Sequence, residues 1–144
     1  IVGSSTDMWG DGGHTSTTFE LGLQNAVNKS GDTLIAYLFA SRPGISKVGS
    51  YSGTGNNIDV DCGFSSGARF VLVKRTDSSG NWYCWDTLRG IASGNDVYSL
   101  WDTAAAQTTN TDYIDPLNAG FTITSSAPAA LNTNGGTYIF LAIA

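Results

Sequence analysis

Residues 68–90 read ARFVLVKRTDSSGNWYCWDTLRG. Two apolar runs flank TDSSG, whose Asp, two Ser and Gly are turn formers, so the stretch predicts a β-hairpin with strands at 69–75 and 81–87. Side chains alternate across a strand. Phe70, Leu72 and Lys74 therefore share one face, and Arg69, Val71, Val73 and Arg75 the other. Both faces are apolar in the middle, as in an inner strand of a sandwich. In the partner strand Trp82, Cys84 and Asp86 share one face, and Tyr83, Trp85 and Thr87 the other.

Outward from the hairpin the pattern stays strand-like. Residues 17–23 (TTFELGL) predict a strand, 33–40 (TLIAYLFA) a more buried one, and 120–126 (GFTITSS) a third. The chain closes on 137–144 (TYIFLAIA). Residues 96–106 (DVYSLWDTAAA) are the one place where a short helical turn fits. TNTDYIDPL (109–117) reads as a loop with a proline stop, and SAPAALNTNGG (126–136) as another loop. Many short strands, Gly- and Asn-rich turns and no long helical period predict an all-β chain, an antiparallel β-sandwich or jelly-roll-like unit.

The closing stretch has a double. LNTNGGTYIFLAIA (131–144) aligns without a gap on VNKSGDTLIAYLFA (27–40), at a constant offset of about a hundred residues. Asn28 falls on Asn132, Gly31 on Gly135, Thr33 on Thr137, Ile35 on Ile139 and Ala40 on Ala144. Such repeats govern the reading of a fold. Residues 1–41 read as the C-terminal part of a preceding unit and 42–144 as a complete unit, with TLIAYLFA and TYIFLAIA expected in equivalent strands. Forty residues cannot bury a core alone.

The composition folds: hydrophobic residues make up 41% and charged ones only 13%. The formal net charge of -5 and seven unclustered Lys plus Arg exclude a basic surface for nucleic acid or anionic lipid. No apolar run reaches membrane-span length, so no membrane insertion is expected. The chain opens on Ile1 with neither initiator Met nor signal peptide, and is expected to be processed or part of something longer. Cys62 and Cys84 are too few for a disulfide framework and read as small buried apolar side chains, with a bridge between them the alternative.

A search for chemistry yields little. IVG at residues 1–3 matches a serine-protease amino terminus, but no GDSGG follows, and the single histidine, His14, reads as an exposed loop residue. Asp59 and Asp61 lie two apart on a strand and face one side. No acid pair stands out among these and Asp86, Asp96, Asp102, Asp112 and Asp115. The run 77–81 lacks the ligand series of a calcium loop, and no zinc or phosphate-binding spacing occurs. No catalytic residue, metal or cofactor is assigned, and the chain is expected not to be an enzyme. Aromatic residues remain: Trp82, Tyr83, Trp85 and Trp101, with Asn81 and Asp86 beside them, are the glycan-contact candidates. The competing role for these rings is the core itself. Arg75 and Arg89 are expected to pair with Asp77, Asp86 or Asp102.

The series KVGSYSGTG, DCGF, ARFVLVKRTDSSGNWYCWDTLRG, TDYIDPLNAGFTI and LNTNGGTYIFLAIA, covering residues 45–144, resembles a tandem repeat domain of bacteriophage tail-fibre and related virion structural proteins, especially from phages of marine bacteria and cyanobacteria. VKRTDSSGNW, WDTLRG and NGGTYIFLAIA carry most of that resemblance. It implies a viral structural protein on the virion surface, outside the cell, that builds a tail fibre or spike with other virion proteins and touches host surface polysaccharide in receptor binding. It brings no catalytic residues. A homotrimer is expected from the class of fibre proteins. The alternatives are a carbohydrate-binding or adhesin module, a capsid decoration (cement) protein and a glycan depolymerase. They differ in which rings are exposed and whether two carboxylates share a groove.

Overall fold

The computed structural model describes residues 15–144. The chain divides into two units, residues 1–38 and 39–144. His14, Trp9 and the IVG stretch lie outside the described residues.

The hairpin forms as its sequence dictates. β3 (Phe70–Arg75) and β4 (Trp82–Asp86) pair antiparallel, with Val71 opposite Trp85 and Val73 opposite Tyr83. The turn between them is held by Arg75, whose guanidinium grips Asp77 at 2.8 Å. Around this hairpin grow β1 (Ser46–Ser52), β5 (Asp96–Leu100), β6 (Thr108–Thr111) and β9 (Thr137–Ile143). They make a six-stranded sheet in the order β1-β9-β3-β4-β5-β6. A second antiparallel sheet, in the order β2-β8-β7, contains β2 (Ile58–Asp61), β7 (Ile114–Leu117) and β8 (Gly120–Ile123). The described residues thus form a mostly β fold with antiparallel sheets.

One core joins the two sheets. Val71, Val73, Tyr83, Trp85, Tyr138, Phe140 and Ala142 of the large sheet meet Val60, Ile114, Phe121 and Ile123 of the small one. Rings dominate it: Tyr83 stacks on Trp85 at 5.8 Å between centroids, and Phe121 meets Phe140 edge-on at 5.4 Å. Gly120 has no alternative here, because a Cβ on it would lie 2.0 Å from the Val60 carbonyl oxygen.

β9, last in sequence, sits between β1 and β3 and pairs with both. The turn before it, α1 excepted the only helix among the described residues, is α2 (Ala129–Asn132). Two stacked tyrosines, 4.9 Å apart, bolt it down. The Tyr51 hydroxyl donates to Leu131 O and the Tyr138 hydroxyl to Ala129 O, each at 2.8 Å. The Asn132 side chain accepts from Thr54 N and Gly55 N and donates to Asn56 O and Thr124 O.

Several expectations are corrected. Residues 96–106 hold β5 and a following turn rather than a helix, because Val97, Tyr98 and Leu100 extend the sheet past β4. Residues 109–117 are not a loop: β6 and β7 lie there, and Pro116 is tolerated because β7 is an edge strand. Residues 17–23 form no strand.

The repeated segment is matched in its turn and not in its strand. α1 (Asn25–Asn28) is the same four-residue helix as α2, at the same offset, and Gly31 and Gly135 both take positive φ, 86° and 77°. Asn28, like Asn132, donates back to a backbone carbonyl. Residues 33–40 then depart from β9. Among the described residues no strand pairs with them, and Ile35 and Tyr37 are 78% and 80% exposed where Ile139 is 42% and Leu141 7% exposed. β9 is buried by the strands on either side of it, and residues 15–32 form no strand to do the same for 33–40.

Candidate functional site

The feature that asks for a function is the outer face of the six-stranded sheet. Sheet register lays its side chains in three transverse rows. One runs Ser46, Ile143, Phe70, Asp86. The next runs Val48, Leu141, Leu72, Cys84. The third runs Ser50, Ile139, Lys74, Trp82. Leu72, Cys84 and Leu141 are buried under Phe70 and Trp82 as a small second core. Trp101, just past β5, donates its backbone N–H to Trp82 O and sets its ring 5.7 Å from that of Phe70. Four large apolar residues remain open to solvent: Trp101 at 57%, Val48 at 42%, Ile139 at 42% and Ile143 at 37%.

Charge is scarce on this face. Lys74 is buried, with its ammonium donating to the Gly80 carbonyl. Asp86 is held by Arg89 at 2.5 Å and accepts from the Leu88 and Arg89 N–H groups. That partner holds its carboxyl below the usual range. Arg75 lowers Asp77 in the same way, to about 2. The expected pairings of Arg75 and Arg89 are those found. Asp102 instead caps the edge of β4 by accepting from Trp82 N.

The glycan-contact candidates separate by face. Tyr83 and Trp85 point into the core between the sheets, where no ring face is left for a sugar. Trp82 is half-buried in the second cluster, Asn81 is half-buried in the turn, and Asp86 is committed to Arg89. Of the four aromatic candidates only Trp101 is mostly exposed. The sequence named both faces of the hairpin but did not single out Val48, Ile139 and Ile143; their signal was the unbroken apolar run of the closing strand.

A groove of about 420 Å³ lies between β1 and β2, lined by Lys47, Tyr51, Asp59, Asp61 and Phe140 among others. Asp59 accepts from Thr122 Oγ1 at 2.6 Å and Asp61 from Gly63 N at 2.7 Å. Both acids are exposed, so neither has the apolar pocket that sets a general acid apart. Among the described residues no group of three or more His, Cys, Asp or Glu could hold a metal ion. Cys62 and Cys84 are free and buried, and burial pushes both thiols up to about 11, which keeps them protonated and inert. No helix among the described residues is long and apolar enough to cross a membrane.

The molecule these features define is an all-β domain with an apolar second sheet face. Residues 2–144 match the family model described as a domain of unknown function, DUF7483, and the chain belongs to that family. No curated protein matches it, and no solved structure does.

Proposed function

We propose that the chain is a non-enzymatic structural module of a virion surface, most simply of a phage tail fibre or spike, built from tandem β-sandwich units and assembled as a homotrimer. The observation that carries this reading is the outer sheet face. A domain with one sheet face in its core usually keeps the other polar. Here the other face is apolar and nearly free of active charge, as a surface covered by another chain would be. The resemblance of residues 45–144 to virion repeat domains supplies the setting. The tandem arrangement rests on the repeated sequence and on the matched turns at 25–31 and 129–135.

Immunogold electron microscopy on particles of a phage that encodes this sequence tests it. Gold along the tail fibres is the expected result. Gold over the capsid would replace the fibre with a decoration protein, and unlabelled particles would end the virion reading. The adhesin alternative is favoured by one observation, the exposed Trp101 ring beside Phe70. Glycan-array binding that disappears in Trp101→Ala would decide for it.

A further inference from the structure

We infer that the seam between the β1 and β2 edges binds a saccharide bearing carboxylates, with Arg42 and Lys47 receiving an acid group and Asp59 and Asp61 the hydroxyls. This role does not depend on the molecule being part of a virion.

Four of the seven Lys and Arg side chains have partners within the fold. Lys29, Arg75 and Arg89 are ion-paired with Asp32, Asp77 and Asp86, and Lys74 donates to Gly80 O. Among the described residues, the side chains of Arg42, Lys47 and Arg69 have neither ion pair nor hydrogen bond. Two of these three line one groove. It holds about 460 Å³ and adjoins the groove between β1 and β2 at Lys47 and Asp61, which line both. Asp61 is the one acid in its lining, so this end of the seam keeps an excess positive charge in a chain whose net charge is -5. Unpaired cations in a concave site attract an anionic group, and Arg presents a fork that matches a carboxylate.

The hydrogen bonds of the seam narrow the ligand further. Arg42 and Ser46 exchange backbone hydrogen bonds at 2.8 and 3.0 Å, and the Ser41 hydroxyl accepts from Val48 N and donates to Val48 O. These bonds fix the backbone that carries both cations, and they close the β1 edge at positions 46 and 48. Outward N–H and C=O groups recur at every second residue of such an edge, so in β1 only Ser50 and Ser52 keep theirs. That is too short a stretch for an extended peptide to add itself as a strand. Across the seam, Asp59 accepts from Thr122 Oγ1 and Asp61 from Gly63 N, each through Oδ1. Each carboxylate is thereby oriented and keeps Oδ2 for a donor from the ligand. A ligand that is anionic at one end and donates hydroxyls along its length is a sugar acid.

The shape agrees. From Ser46 to Ser50 the β1 wall is about 14 Å long, more than a lone anion fills. At Gly49 the floor is bare backbone over the Phe140 ring, since a Cβ there would lie 2.8 Å from Phe140 Cζ. No aromatic face is offered for stacking, because Tyr51 is stacked on Tyr138 and its hydroxyl is committed to Leu131 O. Recognition therefore rests on charge and hydroxyl contacts. Arg42 is exposed and Lys47 half-buried, so binding is weak and falls as salt rises.

Amide chemical-shift titration of the full chain with trigalacturonate at low salt is the test. Maltotriose serves as the neutral trisaccharide and triglutamate as the acidic peptide. Trigalacturonate should saturate at concentrations on the order of 10 mM or below and shift the amides of Lys47, Ser50 and Asp61, and the two controls should bind about tenfold more weakly. Arg42→Gln and Lys47→Gln should each weaken binding about fivefold. Unchanged melting shows that these variants fold. Arg69→Gln removes the third unpaired cation, which lines neither groove, and should bind as the parent does. The absence of saturable binding overturns the inference, as does full binding by both folded groove variants. Triglutamate binding as tightly as trigalacturonate would put an acidic peptide in the seam and overturns the saccharide. An equal loss in Arg69→Gln would reduce the effect to net charge and overturns the site. Trp101→Ala should bind as the parent does, which separates this seam from the adhesin alternative. The virion reading is scored separately: a seam that binds trigalacturonate in a protein absent from phage particles keeps this site and discards that reading.

Discussion

Asp96 is the residue whose chemistry most needs explaining. It is a fully buried carboxylate at the start of β5. One oxygen accepts from the backbone N–H groups of Tyr113 and Ile114, at 2.8 and 2.9 Å, and so fastens β7 to the large sheet. The Ala92 N–H also favours the charged form of Asp96, whereas Oδ1 of Asp112 has no hydrogen-bond partner. Burial pushes Asp96 up to about 6 against the pull of those backbone N–H groups, and Asp112 adds to the rise. The sign follows. The unfolded chain ionises this carboxyl first as pH rises, so its favourable contribution is complete below about pH 4 and is lost by about pH 6. Over that window the loss is ~3 kcal/mol at most. Melting temperature should therefore rise by several degrees from pH 7 to pH 5. In Asp96→Asn that rise should vanish, since the amide keeps an acceptor for the two N–H groups and titrates nowhere. Melting curves of both proteins at pH 4, 5, 6 and 7 check it. Parallel pH profiles would mean that another group titrates.

At the scale of elements the turn before β9 decides most. Asn132 uses both lone pairs and both amide hydrogens, reaching the 54–56 turn and the end of β8. Asn132→Ala would leave the Thr54 and Gly55 N–H groups without this acceptor and remove one of the two donors from each of Asn56 O and Thr124 O, a cost of about 2 kcal/mol. Asn132→Asp keeps the acceptor and loses both donors while burying a charge, and should be worse at neutral pH. Chemical denaturation of the three proteins measures it, and an alanine variant within 1 kcal/mol of the parent would contradict the role. The sequence carried this element only in part. Its hairpin was legible because alternation and turn chemistry agree over 68–90. The closing strand was legible from its apolar run. The helix of α2 was not, since AALN offers no period and its stability comes from Tyr51 and Tyr138, supplied from elsewhere in the fold, and from its own Asn132 reaching across to the 54–56 turn. β6 and β7 were hidden by Asn, Asp and Pro, which edge strands accept and central ones do not. The candidate site was half legible: the hairpin showed two apolar faces, and only the register with β9 and β1 shows which side chains complete the outer one.

On the scale of the whole molecule, the question is whether residues 42–144 are self-sufficient. The core that joins the two sheets is buried from Val60 onward, with Tyr51 and Ile58 the earliest residues packed against it. The protection of the β1 edge needs only Ser41 and Arg42. Residues 33–39 place Leu34, Ile35, Tyr37, Leu38 and Phe39 in solvent, so removing them takes away exposed apolar surface and little buried surface. A chain that starts at Ala40 should therefore melt within about 2 °C of the full one, where a 1 kcal/mol change in a domain of this size is worth several degrees. It should also aggregate less, because a run of alternating exposed apolar residues with high β-propensity is a template for pairing between chains. Calorimetry and light scattering on the two proteins separate these effects. A drop of ten degrees on truncation would place residues 1–39 inside the cooperative unit and defeat the reading of that segment as the end of another one.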